Sequence, residues 1–432
     1  MKLFGRALSL LLCLAAADSL HAYSVLSHEA LIDAMWDVHL RAFLLERYPA
    51  ATPDELKRAH GFAYGGAIIQ DLGYYPHASA QFSDFTHYIR TGDFIEALIT
   101  ESQNLNELAF ALGALSHYVG DLDGHRYATN VGEPMLYPRL AKKFGPIITY
   151  EENPAGHLKT EFGFDVLEVA RGNFAPQAYH DFIGFYVSKE LVARAFRDTY
   201  GLELTDLFSN FDLAIAGYRS AVSRTIPLAT RIAWAQKKDE ITHAQPGTTH
   251  RHFIFNMKRS SYEREWGRRL QEPNAFEKFL ALLLKLIPPI GPLQALQLKM
   301  PTPPVEQLFM ASFNRALSQY GETLVAAEQK KLDLPDKNYD VGAATPAGVY
   351  RLKDDTEAFW LHKLAEKHFA AVTPEIKQTL LDFYKDLNAP IHTKRKPEQW
   401  RQTLAELEGL KTQAAALTSA TTPAMVDGRL LR

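Results

Sequence analysis

The stretch from Glu101 to Gly120 is strongly apolar, with Leu105, Leu108, Ala109, Leu112 and Leu115 at helical spacing, and it reads as a helix buried on most of its surface. Into and just beyond this helix the chain sets His117, Asp121 and His125. Residues four apart on a helix are offset by about 40°, so the three form one narrow stripe. Ionisable groups on the inner side of such a helix cost roughly several kcal/mol each unless they are bound or paired. The same spacing recurs at His157 and Glu161, on a helix that Asn153 caps and Pro154 opens, continued by Leu158, Phe162, Val166 and Val169. Two ligands of one helix at this spacing reach one metal or neighbouring metals, and nitrogen with carboxylate donors suits zinc. A single His-x₃-Asp pair is well explained by capping or surface polarity. Two pairs, one extended by a third histidine, argue for a metal.

Cysteine cannot contribute, because the 432 residues include only Cys13. That residue lies in the apolar run Ala7 to Ala17, which follows Lys2 and Arg6 and is too short to span a bilayer. Residues 1–22 therefore read as a signal peptide, with Leu20-His21-Ala22 as an imperfect cleavage site and Tyr23 as the mature N-terminus. An uncleaved anchor is the alternative. Removing Lys2, Arg6 and Asp18 takes the 47 basic and 50 acidic residues to 45 and 49. A cysteine-free mature chain behind an export signal suits a periplasmic or secreted protein, with no transmembrane helix of its own. The near-neutral charge gives no support to a stable nucleic-acid partner.

Helical spacing dominates the rest, so the expected fold class is all-α. Ser27 is the expected N-cap of a helix to about Arg47, and no run of alternating strands or internal repeat is found. Ala275–Leu286 is an apolar helix that ends in prolines at 288, 289, 292, 301, 303 and 304, which no continuous helix accommodates. The expected organisation is a signal over 1–22, a catalytic domain over 23–265, and a helical C-terminal region of unknown role over 266–432.

Upstream of the two pairs lie Tyr23, His28, Asp71 in the segment Tyr64 to Pro76, and His87 in the segment Phe82 to Tyr88. With this order, residues 23–165, and more loosely the chain to about 260, resemble the zinc-dependent phospholipase C family. Relatives of that family include the catalytic domain of glycosylphosphatidylinositol-specific phospholipase D and the single-strand-specific zinc nucleases. The Tyr23-to-His28 spacing looks like the nucleases, and the Asp121-to-His125 spacing looks like the phospholipase D branch. The resemblance implies a compact all-α domain around three zinc ions. Asp71, His87, His117 and Asp121 would hold the first. Asp121 would bridge to a second, held also by His28 and the backbone amine and carbonyl of Tyr23, where the family often has Trp. His125, His157 and Glu161 would hold the third.

The activity implied is phospholipase C-type hydrolysis of glycerophospholipids, with Asp71 orienting or deprotonating the attacking water. The alternatives are a nuclease-type or phospholipase D-type phosphodiesterase on the same centre, or a non-catalytic metal-stabilised lipid-binding protein. Three Zn²⁺ against three acids would leave the site near about +3, an attractor for a phosphodiester, with substrate met at membrane surfaces. Asp123 and Asp165 are candidate partners for ligand imidazoles. Tyr74, Tyr75, Phe82 and Phe85 flank Asp71 and His87 and would line a substrate cleft if they are not core. His39, His60, His77, His243, His250 and His252 match no ligand position.

Overall fold

In the computed structural model, residues 25–75, 77–171, 186–220, 238–239, 242, 247 and 299–412 are described. Their regular elements are helices, and the only β pairing among them is an isolated antiparallel bridge between Asn338 and Ala343. The chain is thus all-α, as its periodicity predicts. Tyr23, the signal segment, the apolar run 275–286, the boundary near 265 and His243, His250 and His252 lie outside the described residues. No described helix is long and apolar enough to cross a membrane.

Two compact units are present, one running to Thr199 and from Glu203 to Thr345, the other formed by Tyr200–Leu202 and the chain from Pro346. The first is built on helices α1 (Val25–Met35), α2 (Arg41–Arg47), α3 (Pro53–Ala67), α4 (Ala80–Tyr88), α5 (Thr91–Thr100), α6 (Leu105–Gly124), α7 (Asn130–Leu136), α8 (Pro138–Phe144) and α9 (Pro154–Arg171). It continues with α10 (Lys189–Tyr200), α11 (Phe211–Ser220) and α12 (Pro303–Glu328). In the second unit α13 (Arg351–Glu366), α14 (Pro374–Phe383) and α15 (Pro397–Thr412) pack around Trp360, whose Nε1 donates to Tyr200 O at 2.8 Å.

Helix α6 is the spine of the first unit. Asn104 caps it by accepting from Asn106 N and Glu107 N, and every residue from Glu107 to Gly124 is buried. The helix runs later than its apolar pattern alone suggests, so Asp121 lies inside it, and His125 opens a π-turn over His125–Thr129. Widened turns of this kind recur at functional sites. Helix α3 begins at a full capping box between Thr52 and Glu55 with Pro53 in its first turn. It crosses α6 at backbone distance, because a Cβ on Gly66 would lie 1.8 Å from Phe110 O, and one on Gly113 would lie 2.0 Å from Ala63 O. This crossing delivers the turn after α3 to the face of α6 that carries His117.

Helix α12 packs on α6, with Tyr320 donating to Leu112 O at 2.8 Å, and meets α9, where Phe309 stacks on Phe164 at 4.5 Å. Residues 303–345, expected in the C-terminal region, therefore belong to the compact unit that holds His117 and Asp121. Ser27 lies within α1 rather than capping it, and its hydroxyl donates to Asp165 Oδ1 at 2.7 Å.

Gly113→Ala should cost about 1–3 kcal/mol or more, since the obstructing atom is a carbonyl oxygen fixed in α3. Urea denaturation at constant m-value checks this. A second expectation concerns Glu133, which burial pushes up to about 8, against the opposing hydrogen bond from Asn153. Its folded value lies above the ordinary 4.5, so the folded chain holds an extra proton between the two. The stability this carries is present below about 4.5 and lost as pH rises towards about 8. Glu133→Gln should therefore gain on the parent in thermal midpoint as pH is raised from about 5 to about 8.

Candidate metal centre

Five elements of the first unit converge on one buried volume. Helix α1 supplies His28, and the 3₁₀ turn Ile69–Tyr74 after α3 supplies Asp71. Helix α4 supplies His87, α6 and its π-turn supply His117, Asp121 and His125, and α9 supplies His157 and Glu161. Each of these eight residues is at most 3% exposed. Their donor atoms gather into three groups: His28, His117 and Asp121; Asp71, His87 and His117; and His125, His157 and Glu161.

Asp121 joins the groups. Its Oδ1 lies 3.3 Å from His28 Nε2. Its Oδ2 is faced by three imidazole nitrogens, His117 Nε2 at 3.2 Å, His87 Nε2 at 3.4 Å and His125 Nε2 at 3.5 Å. Asp71 Oδ1 stands 3.4 Å from His87 Nε2 and 3.8 Å from His117 Nε2. In the third group His157 Nε2 is 2.7 Å from Glu161 Oε1, and the His125 and His157 rings meet edge-on at 4.9 Å.

The opposite nitrogens of three rings are already committed. His87 Nδ1 donates to Ser83 O at 2.8 Å, His117 Nδ1 to Ala67 O at 2.8 Å, and His125 Nδ1 to Asp340 Oδ1 at 3.1 Å. Carbonyl and carboxylate oxygens only accept, so the proton of each neutral ring sits on Nδ1 and its Nε2 presents a lone pair. Lone pairs then face carboxylate oxygens at van der Waals distance or closer. His117 Nε2, His125 Nε2, both oxygens of Asp121 and both of Glu161 are buried without a hydrogen-bond partner. Such an array requires positive charge among its members. Tetrahedral zinc with bonds of about 2.0–2.2 Å to nitrogen and oxygen sets its ligand atoms roughly 3.3–3.5 Å apart. The spacings from Asp121 to His28, His87 and His117 match that value, and the mixed nitrogen and carboxylate donors match zinc's chemistry.

Protonation of the bare cluster follows the same logic. Burial opposes charge on His87, but Asp121 and Asp71 outweigh it and raise the ring to about 9. Burial also opposes charge on Asp121, yet His117 and His125 hold it well below the usual carboxylate range. Burial, with His125 beside it, lowers His157 to about 3, and burial together with Asp121 and Asp71 pushes Glu161 well up. His28 is lowered by burial and by His117. Burial thus resists protonation of His28 and His157 and ionisation of Glu161, and bound cations would relieve the latter.

Residues 27–210 match the profile of the family described as zinc dependent phospholipase C. That region resembles the zinc-dependent phospholipase C family. No curated protein and no solved structure gives a significant match to the chain. The family region contains all eight converging side chains, and zinc is the metal its description names.

Not every residue singled out in the sequence lies at the centre. Tyr74 lies edge-on to His87 at 5.8 Å, and Tyr75 stacks on Tyr218 at 3.9 Å beside the same turn. Phe82 and Phe85 do not face a cleft. Both are fully buried and pack on Phe196, because α4 turns that side towards α10. The two acidic residues considered as imidazole partners have other work. Asp165 accepts from Leu26 N, Ser27 N and Ser27 Oγ and so anchors the first turn of α1, which carries His28. Asp123 accepts from Gln319 on α12. His60 stacks on Trp36 at 3.9 Å and reaches Asp33 Oδ1 at 3.1 Å, away from the metal groups. Sequence reasoning missed Asp340, Tyr150 and the carbonyls of Ala67 and Ser83, which orient the ligand rings. None carries a local motif, and Asp340 stands 215 positions from His125.

Stripping metal with a chelator should lower the thermal midpoint of the protein by on the order of 10 °C. Stoichiometric zinc should restore it and magnesium should not, since the donor set is rich in imidazole. Differential scanning calorimetry of the stripped and reloaded protein checks both.

Proposed function

We propose that this chain is a zinc-dependent phosphodiester hydrolase that cleaves glycerophospholipids in the phospholipase C manner, releasing diacylglycerol and a phosphorylated headgroup. The observation that carries the reading is the single oxygen of Asp121 faced by three imidazole nitrogens, inside the family-matched region. Three zinc ions are proposed, with Asp71, His87, His117 and Asp121 at one. Asp121 and His28 hold the second, together with the backbone amine and carbonyl of Tyr23, and His125, His157 and Glu161 hold the third. When bound, zinc supplies Lewis-acid charge and a water nucleophile at neutral pH.

The residues of the chain then divide the remaining tasks. Asp71 and Asp121 would present buried carboxylates to the metal, with Asp121 shared between two of the proposed ions. Asp71, on the 3₁₀ turn, is the residue proposed to orient the attacking water or take its proton. The Ser83 and Ala67 carbonyls hold the rings of His87 and His117 against rotation. Tyr74 and Tyr75 border the Asp71 turn and are proposed to meet the substrate there. Cleavage after Ala22 is proposed to release the Tyr23 amine, and the mature protein is proposed to act outside the cytoplasm on phospholipid at membrane surfaces.

The decisive assay gives the mature protein phosphatidylcholine, other glycerophospholipids and single-stranded nucleic acid, with and without chelator, and identifies the products. Diacylglycerol with phosphorylated headgroup is expected, abolished by chelator and restored by zinc. Phosphatidic acid would indicate the other P–O bond, and nucleotide release without diacylglycerol would overturn the lipid reading. Asp71→Asn should lower turnover by about 10²–10⁴-fold. Unchanged turnover in that variant would remove Asp71 from the reaction.

A further inference from the structure

One carboxylate at the metal centre comes from outside the family-matched region. Asp340 lies in the loop that follows α12, and it is 1% exposed. Its Oδ1 accepts from His125 Nδ1 at 3.1 Å and its Oδ2 accepts from Tyr150 N at 2.9 Å. Its carbonyl accepts from Asn130 Nδ2 at 2.7 Å, and its own N–H donates to Asn338 Oδ1 at 2.9 Å. Both carboxylate oxygens and both main-chain groups of this one residue are thus engaged.

The loop around it is fixed to the helices that carry the ligands. Tyr339 N donates to the carbonyl of His87 at 3.0 Å, and Tyr118 of α6 donates to Pro335 O at 2.7 Å. Asp336 Oδ1 accepts from Gly92 N at 2.9 Å and Asp93 N at 3.2 Å in the first turn of α5. Gly342 takes a φ of +67°, and a Cβ there would lie 2.9 Å from Leu122 O, so the loop lies directly on α6 at the residue after Asp121. A surface loop that only closed off the fold would need none of these contacts at a buried carboxylate.

We propose that Asp340 is a positioning residue for His125, and that the loop 335–342 is part of the metal centre. Ionised, Asp340 can only accept, so it keeps the His125 proton on Nδ1 and directs the Nε2 lone pair towards Asp121 and the third ligand group. Through Tyr150 N it also ties His125 to the chain leading into α9, which bears His157 and Glu161. The ring of Tyr150 lies edge-on to His157 at 5.6 Å, so the same tie fixes both imidazoles of that group. Of the metal-centre rings His87, His117 and His125, the last is the one whose Nδ1 is held by a carboxylate, the stronger acceptor. The inference rests on the metal-centre reading above.

The test uses the full mature protein, loaded with zinc, as parent, Asp340→Asn and Asp340→Ala. Each is equilibrated against graded chelator and its zinc per chain measured by elemental mass spectrometry. Both variants should surrender one zinc equivalent at about 10–100-fold lower chelator than the parent, and hold the rest as the parent does. In a His125→Ala background, Asp340→Asn should change zinc retention no further. Thermal midpoints with and without zinc separate positioning from support: the increment that zinc confers should shrink in Asp340→Asn. Unchanged zinc retention, or equal losses of midpoint in both states, would make Asp340 a loop anchor and overturn the inference alone. A parent that holds no zinc would overturn both the inference and the metal-centre reading.

Discussion

Three imidazole nitrogens turned towards one buried carboxylate oxygen repel unless positive charge lies among them, and the first unit is organised around that demand. Asp121 cannot move, because it sits within the buried spine helix α6. The rings cannot rotate away, because Ser83 O, Ala67 O and Asp340 hold their far sides. These hydrogen bonds orient the rings towards the cluster, which is what a tight and selective site needs.

That orientation is bought by close packing far from the charges. The α3–α6 crossing at Gly66 and Gly113 lets backbones touch, which no larger residue allows. The crossing places Ala67 O on His117 and carries the chain directly into the turn of Asp71. Asp165 does the corresponding work for α1, holding the first turn through two main-chain amides and the Ser27 hydroxyl, so that His28 reaches Asp121 Oδ1. A carboxylate acting on a helix terminus and a glycine contact between helices thus determine ligand geometry as directly as the ligands themselves.

Much of this was legible along the chain. The stripe His117, Asp121, His125 and the pair His157, Glu161 depend only on helical spacing, and the apolar surroundings made their burial expected. The all-α class followed from the same periodicity. The roles of Asp123, Asp165, Phe82 and Phe85 were not legible, because each depends on which neighbour a side chain meets. Asp123 faces Gln319 and Phe82 faces Phe196, both more than a hundred positions away.

By itself the sequence determined the candidate ligand types, their order and the helices that bear most of them, since these follow from local spacing and from a chain whose single cysteine lies in its first 22 residues. Tertiary structure decided which oxygen of Asp121 meets which imidazole and which nitrogen of each ring is committed. It also decided that the loop bearing Asp340 belongs with the metal centre. The physical reason is that tautomer and orientation are set by hydrogen bonds across the fold, and no periodicity along the chain encodes a partner 215 residues distant.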